Sequence, residues 1–338
     1  METLIFKGID NIEEAGRIIA DGGLVAFPTE TVYGLGASAY DSGAAKKIYA
    51  AKGRPSDNPL IVHIDEPSRI YELADEITPD AQKIINAFMP GAVTVIVKKN
   101  AKISGDVTAG LDTVAVRCPS NEIARALIKA SGVPIAAPSA NISGKPSPTT
   151  ARHVMDDMTG KIDAIIDGGA CEVGVESTIV DTTGEVCTVL RPGGVTLEML
   201  REVVPDIRYD KNITRAIGEN EKPKCPGMKY KHYSPNADVY VIEGGEKEVQ
   251  AEINRRISEN KGKNIGVLFM YGAVYDGAVM LGAGGGGKEY AHNLFAALRE
   301  FDRLNIDVVF AEFREADGWA QAVKNRLYKA AAYKVIHV

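Results

Sequence analysis

The first 205 residues alternate short apolar runs with longer amphipathic stretches, a pattern that predicts an α/β domain. The run GLVAFP at 23–28 is bounded by glycine and proline and predicts a buried strand. Prolines in the connections and irregular spacing between runs favour a mixed sheet over a regular doubly wound one. Further strands are predicted at 59–64, 92–99, 113–119, 133–141, 163–169, 177–181 and 187–194.

Helices are predicted where polar cap residues precede the amphipathic stretches. One helix has Asp41 or Ser42 near its N-cap and Gly53 just after its end. Two further helices are predicted with Thr78 and Ser120 as their N-caps.

The rest of the chain divides into a linker and a second, smaller domain. Residues 206–236 have no sustained periodicity and carry three prolines, which predicts a linker after a domain at 1–205. Residues 237–338 resume the alternation and predict a small parallel α/β unit. Its strands are expected at 238–244, 264–270, 278–282 and 306–313, and its helices at 246–260, 288–304 and 317–331.

Composition places the chain among ordinary globular proteins. Of its 338 residues, 45% are hydrophobic and 25% are charged. No apolar run approaches the roughly 20 residues of a membrane helix, and the N-terminus lacks the pattern of a secretory signal. The four cysteines are scattered without a C-x-x-C pair, so we expect reduced thiols in a cytoplasmic protein.

Charge is unevenly distributed. The formal net charge is −6, made up of −8 over 1–205, +3 over 206–236 and −1 over the remainder. The acidic balance argues against a general nucleic-acid binder, while the linker is locally basic.

A cationic pair stands at the end of one predicted helix. Lys52 and Arg54 lie two residues apart and are followed by Asn58. Cations at a helix C-terminus stabilise the helix dipole, so capping alone would explain them. Polyphosphate binding explains them equally well, because lysine supplies a mobile charge and arginine a fork that matches phosphate.

Polar residues also follow several predicted strands. Arg117 is either a strand-end salt-bridge partner or a clamp on a substrate carboxylate. His63 is either structural or functional, and Ser139, Asn141 and Arg191 are either turn residues or ligand contacts. Because ligands bind beyond the carboxyl ends of strands in open α/β sheets, we expect these residues to face one crevice.

The glycine-rich stretch GAGGGGKE at 282–289 fits phosphate-binding patterns only superficially. A P-loop requires serine or threonine after its lysine, whereas Glu289 stands there and would repel phosphate. We therefore interpret the stretch as a flexible loop before a helix.

Taken together, several long motifs carry a family resemblance. FPTETVYGLG at 27–36, AAKGRP at 50–55, VAVRCP at 114–119 and APSANISG at 137–144 stand in order, followed by VESTIVD, VLRPGG and PGMKYKHYSP. In these motifs the chain resembles the YrdC family, in particular the long, two-domain form of threonylcarbamoyl-AMP synthase. The resemblance implies a YrdC-like twisted mixed sheet with a ligand cavity, then a linker and a small Rossmann-like domain.

The resemblance also implies an activity. Such enzymes convert ATP, L-threonine and bicarbonate, with Mg²⁺, into threonylcarbamoyl-AMP and pyrophosphate, and a separate transferase places the threonylcarbamoyl group on adenosine 37 of tRNA. Two other interpretations remain open from the sequence. One is a carbamoyl-adenylate-forming enzyme, and the other is an RNA-binding translation factor. For the synthase itself, a weak direct contact with tRNA is a further possible interaction.

Site residues follow from the motifs that match. The threonine positions implied are Thr31, His63, Arg117, Ala137 and Ser177. Lys52 and Arg54 are the expected catalytic cations, and the full set of ATP positions is Lys52, Arg54, Asn58, Thr113, Ser139, Asn141, Ser147, Arg191 and Tyr233. The linker around Tyr233 is expected to cover the active site.

Overall fold

The computed structural model describes residues 2–211, 213, 225, 232–270, 272–315 and 317–338. It contains two compact units. The first comprises Met1–Ser143, Ser147–Glu172 and Glu176–Lys229, and the second comprises Gly144–Pro146, Val173–Val175 and Tyr230–Val338. Most of the predicted linker lies outside the described residues.

The first unit is built on one large mixed sheet. Within the described residues its strands are β1 (Leu4–Lys7), β2 (Val25–Phe27), β3 (Gly34–Ser38), β4 (Ile61–His63), β5 (Ala74–Glu76), β6 (Val93–Lys99), β7 (Thr113–Arg117), β8 (Ile135–Ala137), β9 (Ala164–Asp167), β10 (Thr178–Asp181), β11 (Thr188–Arg191) and β12 (Arg208–Tyr209). Their order is β1-β9-β2-β3-β8-β4-β7-β6-β10-β11-β12, and β5 pairs with β6. Strand β8 runs antiparallel to both β3 and β4, while β4 and β7 are parallel. The predicted mixed sheet is thus confirmed.

Six helices accompany this sheet among the described residues: α1 (Ile12–Ala20), α2 (Ser42–Lys52), α3 (Pro79–Phe88), α4 (Glu122–Ser131), α5 (Ala151–Met158) and α6 (Leu197–Val203). Asp41 caps α2 by accepting from the Gly43 amide, and Gly53 ends the helix in the left-handed conformation. Thr78 caps α3 as predicted.

The predicted N-cap of α4 is wrong by one residue. Asn121 is the cap, and its side chain accepts from the Ala124 amide at 3.1 Å. The amide of Ser120 instead donates to the Glu30 carboxylate at 3.2 Å. A contact 90 residues away in sequence therefore draws the preceding residue out of the capping role.

The two faces of the sheet differ in their neighbours. Valines such as Val62, Val95 and Val116 join the large core of the first unit. On the opposite face, Ile61 and Ala115 form a smaller buried cluster with Ile96, Ile179, Leu190 and Cys225. Because side chains alternate along a strand, this second face also carries His63, Thr113 and Arg117.

The second unit contains a five-stranded, all-parallel sheet within the described residues. Its strands are β13 (Asp238–Glu243), β14 (Ile265–Phe269), β15 (Val279–Gly282), β16 (Val308–Phe313) and β17 (Val335–His337), and its helices are α7 (Glu246–Glu259), α8 (Gly287–Arg303) and α9 (Ala320–Ala330). The strand order β15-β14-β16-β13-β17 confirms a parallel α/β unit, although it departs from the order of the dinucleotide-binding fold. Strand β17 was not predicted.

The glycine-rich loop before α8 is held by carboxylates. The Gly285 amide donates to Glu289 at 3.1 Å, and the Gly287 amide donates to Asp317 at 3.0 Å. These carboxylates lie where a P-loop would bind phosphate, which agrees with the decision against a P-loop. The connecting loop is shorter than expected, because Gly282 ends β15 and α8 begins at Gly287. No described helix is both long and apolar enough to span a bilayer.

Helix α1 depends on glycine where it crosses α4. A Cβ on Gly16 would lie 2.7 Å from the Ala130 carbonyl carbon, closer than packed atoms approach. We expect Gly16→Ala to cost about 1–3 kcal/mol in packing, more than the roughly 1 kcal/mol that alanine gains in a helix. Urea unfolding measures the difference. The control is Gly105→Ala, which meets no atom within 4 Å and should leave stability unchanged. Equal stability of both variants would contradict the close crossing.

Candidate active site

Three of the five predicted threonine-binding residues lie together at one end of the central strands of the sheet, a region called the threonine edge below. His63 lies opposite Arg117 on parallel strands β4 and β7. Val95 of β6 lies opposite Val116, which places Thr94 beside Arg117 in the register. The Ser177 hydroxyl, just before β10, lies 2.7 Å from that of Thr94. The register therefore brings three of the five predicted residues together.

The candidate residues do not all lie at carboxyl ends that point the same way, contrary to the parallel arrangement that the sequence analysis assumed. Strand β8 is antiparallel to β4, with Ala137 opposite Ile61 and Ile135 opposite His63. Ser139, which follows β8, therefore lies beyond the amino end of β4, while His63 stands at its carboxyl end. The candidate residues therefore lie towards both ends of the central strands.

The turn between β2 and β3 is organised by Thr29. Its hydroxyl donates to the Val32 carbonyl at 2.6 Å and accepts from the amides of Thr31 and Val32 at 3.1 and 3.2 Å. The Thr31 hydroxyl lies 2.8 Å from it and is fully buried. Tyr33 donates from its hydroxyl to the Gly169 carbonyl at 2.7 Å. Of the three hydroxyls in this motif, two therefore have clear structural roles.

Arg117 is paired with an acidic residue that the sequence analysis did not single out. Its Nη2 donates to Glu30 Oε1 at 2.5 Å, and both side chains are buried, with 5% and 7% exposure. Its Nε donates more weakly to the Gly91 carbonyl at 3.4 Å. The salt-bridge and carboxylate-clamp interpretations of Arg117 are thus compatible, because Glu30 uses only part of the guanidinium fork.

His63 is buried and neutral. Its Nδ1 lies 3.1 Å from the Ile61 carbonyl, and the Phe27 ring packs edge-on against the imidazole at 6.0 Å. Burial, and then the charge of Arg117, lower the pKa of His63 to about 3. The imidazole can therefore serve as a hydrogen-bonding and packing group but carries no charge at neutral pH.

Arg191 is tied to the same edge. Its Nη2 and Nε donate to the Ser177 carbonyl at 2.9 and 3.1 Å, and Nη2 also lies 3.2 Å from the Ser177 hydroxyl. A Cβ on Gly193 would lie 2.3 Å from the Glu176 carbonyl oxygen, so the RPGG motif packs directly on this backbone. The motif thereby places a predicted ATP residue beside a predicted threonine residue.

The lysine, serine and asparagine of the KxR…SxN motif form one hydrogen-bonded group. Lys52 Nζ donates to the carbonyls of Ser139 and Asn141, both at 2.5 Å. The Ser139 hydroxyl donates to Asn141 Oδ1 at 2.5 Å. Carbonyl oxygens of two neighbouring residues thus hold the buried ammonium next to the other members of the motif.

Arg54, Asn58 and Thr113 lie towards the opposite end of β4 and β7 from His63 and Arg117. Arg54 Nη2 donates to the carbonyls of Asn58 and Pro59, both at 3.3 Å. The buried Asn58 Oδ1 has no hydrogen-bond partner among the described residues. Thr113 begins the strand that Arg117 ends, about 13 Å away along β7.

A second buried carboxylate joins two motifs. The Ser147 hydroxyl donates to Glu176 Oε1 at 2.5 Å. Neither Glu30 nor Glu176 was predicted, although both stand inside quoted motifs, PTETVYG and VESTIVD. An acidic residue flanked by buried positions was the signal available for both.

Comparison with known proteins places the chain. A family model described as "Telomere recombination" matches residues 17–193, and one described as "Threonylcarbamoyl-AMP synthase, C-terminal domain" matches residues 195–332. A curated threonylcarbamoyl-AMP synthase of Pyrococcus abyssi is 47% identical, over 99% of this chain and all of that protein. The chain belongs to the threonylcarbamoyl-AMP synthase family. It has the long, two-domain form.

Other members of the family agree. The threonylcarbamoyl-AMP synthase of Bacillus subtilis is 44% identical over 96% of this chain and 94% of its own length. A crystal structure of P. abyssi Sua5 complexed with L-threonine has a TM-score of 0.95 and 46% identity, covering 99% of this chain and all of that one. These comparisons confirm the family resemblance that the motifs indicated. They also confirm the fold and the type of enzyme that the resemblance implied.

Tyr233 lies in the second unit of this synthase-family chain. Its ring packs against Phe295, with centroids 5.1 Å apart, and the Arg326 guanidinium lies over it at 5.7 Å. The residue is buried and has a φ of 64°. Most of the PGMKYKHYSP motif before it lies outside the described residues.

Mg²⁺ is expected to accompany ATP, which makes side chains that could bind a metal ion relevant here. The described residues contain no group of three or more His, Cys, Asp or Glu side chains that could hold one. Glu30 and Glu176 are each engaged, by Arg117 and by Ser147.

The lowered pKa of His63 has a consequence for stability. The unfolded chain binds a proton near the ordinary pKa of 6.5, which the folded chain does not bind until about pH 3. Stability should therefore fall as pH falls below 6.5, by about 1.4 kcal/mol for this group between pH 7.5 and 5.5.

Urea unfolding of the wild type and His63→Gln at these two pH values tests this account. Between pH 7.5 and 5.5, we expect His63→Gln to lose less stability than the wild type, because the contribution of His63 is absent. His337→Gln, at an exposed histidine, should lose as much stability as the wild type. An undiminished pH dependence in His63→Gln would show that His63 is not buried in its neutral form.

Proposed function

We propose that this chain converts ATP, L-threonine and bicarbonate into threonylcarbamoyl-AMP and pyrophosphate. The observation that carries the proposal is the buried group formed by His63, Arg117 and Ser177. Arg54 and Asn58 lie towards the other end of the same strands, beyond the apolar cluster around Ile61 and Ala115. Similarity over the full length to threonylcarbamoyl-AMP synthases supports the same reaction. A P. abyssi relative has been crystallised with L-threonine.

Threonine binds, in this proposal, at the edge carrying Arg117. The guanidinium fork pairs with the substrate carboxylate, because a planar, permanently charged fork matches two carboxylate oxygens. The hydroxyls of Thr31 and Ser177 suit the small polar side chain of the substrate. Ala137 contributes backbone groups and space, and neutral His63 adds packing and a hydrogen bond.

The nucleotide is held by the remaining predicted residues. Lys52 and Arg54 offset the charge of the triphosphate, with Asn58, Thr113, Ser139 and Asn141 around them. Arg191 contacts Ser177, and Ser147 contacts the neighbouring Glu176, so both lie close to the proposed threonine site. This position suits contacts with the phosphate that reacts with the threonine carbamate. Mg²⁺ would come with ATP, since this ion commonly binds substrate phosphates and water, and we assign it no protein ligands.

The reaction in this proposal needs no nucleophilic side chain. The threonine amine loses a proton and combines with bicarbonate, releasing water and giving a carbamate. A carbamate oxygen then attacks the α-phosphate, and pyrophosphate leaves. The protein positions the reactants, offsets developing charge and excludes water from the labile carbamate and mixed anhydride.

The domain roles form part of the proposal. Residues 1–205 supply the catalytic domain, 206–236 a basic linker that covers the site and carries Tyr233 for contact with the nucleotide, and 237–338 a C-terminal domain. In support, Cys225 of the linker is fully buried with Ile61 and Ala115, on the face that carries His63 and Arg117. The four cysteines are buried reduced thiols, as expected of a protein in the cytoplasm. The product then passes to a separate tRNA transferase, and direct tRNA contact is at most weak given the acidic first domain.

The proposed reaction requires all three substrates. Pyrophosphate release should need ATP, threonine and bicarbonate together, with threonylcarbamoyl-AMP detected by mass spectrometry. Serine lacks one methyl contact, worth roughly 1–3 kcal/mol, and should react modestly less well than threonine. Valine lacks the hydroxyl that would hydrogen-bond to the polar groups of this site and should react far less well. Pyrophosphate release without threonine, or equal rates with valine, would contradict the proposal.

Replacement of Arg117 separates the two substrates. Arg117→Lys keeps the charge but loses the fork, so threonine should bind about tenfold or more weakly while ATP affinity stays within about twofold. Calorimetric titration with each ligand measures both affinities. Arg152→Lys, at an exposed arginine, is the matched control and should change neither. A defect confined to ATP binding would move Arg117 out of the amino-acid site.

A further inference from the structure

Glu30 is a buried carboxylate to which the reaction proposed above gives no role. It lies in the turn between β2 and β3, and both of its oxygens are engaged, Oε1 by Arg117 at 2.5 Å and Oε2 by the Ser120 amide at 3.2 Å. A buried ion pair is weak support for stability as such, because desolvation of the two charges offsets most of their attraction. The geometry of this pair points to a function in the substrate site.

The Arg117 fork is used on one side only. The guanidinium has a side-on edge, formed by Nε and Nη2, and an end-on edge, formed by Nη1 and Nη2. The Gly91 carbonyl accepts from Nε and Glu30 accepts from Nη2, so protein groups contact both nitrogens of the side-on edge. No described residue accepts a hydrogen bond from Nη1. The end-on edge is thus the one available for a bidentate contact with a carboxylate.

Three separate elements fix Glu30 in place. The turn that carries it is closed by the hydrogen bonds of Thr29 to Val32. The Ser120 amide that holds Oε2 lies just before α4, where the helix dipole favours a negative charge. Arg117 itself ends strand β7. Because the turn and the Ser120 amide hold the Glu30 carboxylate in place, the carboxylate sets the orientation of the Arg117 guanidinium.

The ion pair between Glu30 and Arg117 also affects which anions the site attracts. Without substrate, the positive charge of Arg117 is compensated by Glu30, so the pair itself is close to neutral. An unpaired buried guanidinium would attract any anion, including the phosphates of ATP. With Glu30 present, the edge favours a group that makes two directed hydrogen bonds over one that brings only negative charge.

We propose that Glu30 is a positioning residue for threonine recognition, which locks the side-on edge of Arg117 so that its end-on edge meets the substrate carboxylate. This inference rests on the proposed function, because it assigns the carboxylate at Arg117 to threonine. Glu30 acts through Arg117, and its removal should impair threonine binding selectively.

The test compares Glu30→Gln, Glu30→Asp and Arg117→Lys, and the double variant Glu30→Gln/Arg117→Lys, all in the full-length chain. Threonine and ATP affinities are measured by calorimetry, and KM and kcat by pyrophosphate release. Glu185→Gln, at an exposed glutamate, is the matched control. We expect Glu30→Gln to weaken threonine binding by about tenfold, with ATP affinity within about twofold and kcat at saturating threonine nearly unchanged. Glu30→Asp keeps the charge and should recover part of the loss.

The double variant distinguishes positioning from general damage. If Glu30 acts through the Arg117 fork, Glu30→Gln should add little to the threonine defect of Arg117→Lys. Fully additive defects, equal weakening of threonine and ATP, or unchanged threonine affinity in Glu30→Gln would each overturn the proposal. Loss of folding in both Glu30→Gln and Glu30→Asp would also overturn it, because the pair would then be structural.

Calorimetry separates this inference from the proposed function. A wild-type chain that binds threonine but forms no threonylcarbamoyl-AMP would refute the reaction and leave the Glu30 comparison valid. A wild-type chain that binds no threonine would refute both.

Discussion

The candidate site depends on one buried ion pair, between Glu30 and Arg117. It joins the turn after β2 to the end of β7 and the start of α4, which follow one another in sequence but lie 87 to 90 residues from Glu30. Leaving either charge unpaired at this depth would cost several kcal/mol, so the segments must meet in one arrangement for both charges to be compensated. That arrangement places His63, Thr94 and Ser177 beside the guanidinium, and with them the edge that we assign to threonine.

The sheet makes this arrangement possible because its strands alternate their side chains between two different environments. Valines on one face pack into the main core, and the opposite face presents an apolar strip around Ile61 and Ala115 with polar residues at its ends. Antiparallel β8 brings Ser139 and Asn141 to the end that carries Asn58, while parallel β4 and β7 bring His63 and Arg117 to the other. Two sets of polar groups on one buried face suit a reaction that joins an amino acid to a nucleotide.

Local features could be predicted from the sequence, and long-range ones could not. Asp41, Gly53 and Thr78 act within a few residues of themselves, and their capping roles were predicted correctly. The cap of α4 was misplaced because a distant carboxylate takes the Ser120 amide. Strand β3 was missed because its sequence, GLGAS, has little β-propensity and is specified by its neighbours. The family motifs predicted the candidate residues, but their grouping depends on strand direction, which the sequence did not predict. Glu30 could be recognised only from its contact with Arg117.

The most direct measurement is a crystal structure of this chain with bound L-threonine. The account predicts that the threonine carboxylate accepts hydrogen bonds from Arg117 Nη1 and Nη2 at about 2.7–2.9 Å, with Glu30 still paired to Nη2. It also predicts that the substrate amine faces the apolar strip that leads towards Arg54 and Asn58. A threonine carboxylate bound elsewhere, or one that displaces Glu30 from Arg117, would contradict the central claim.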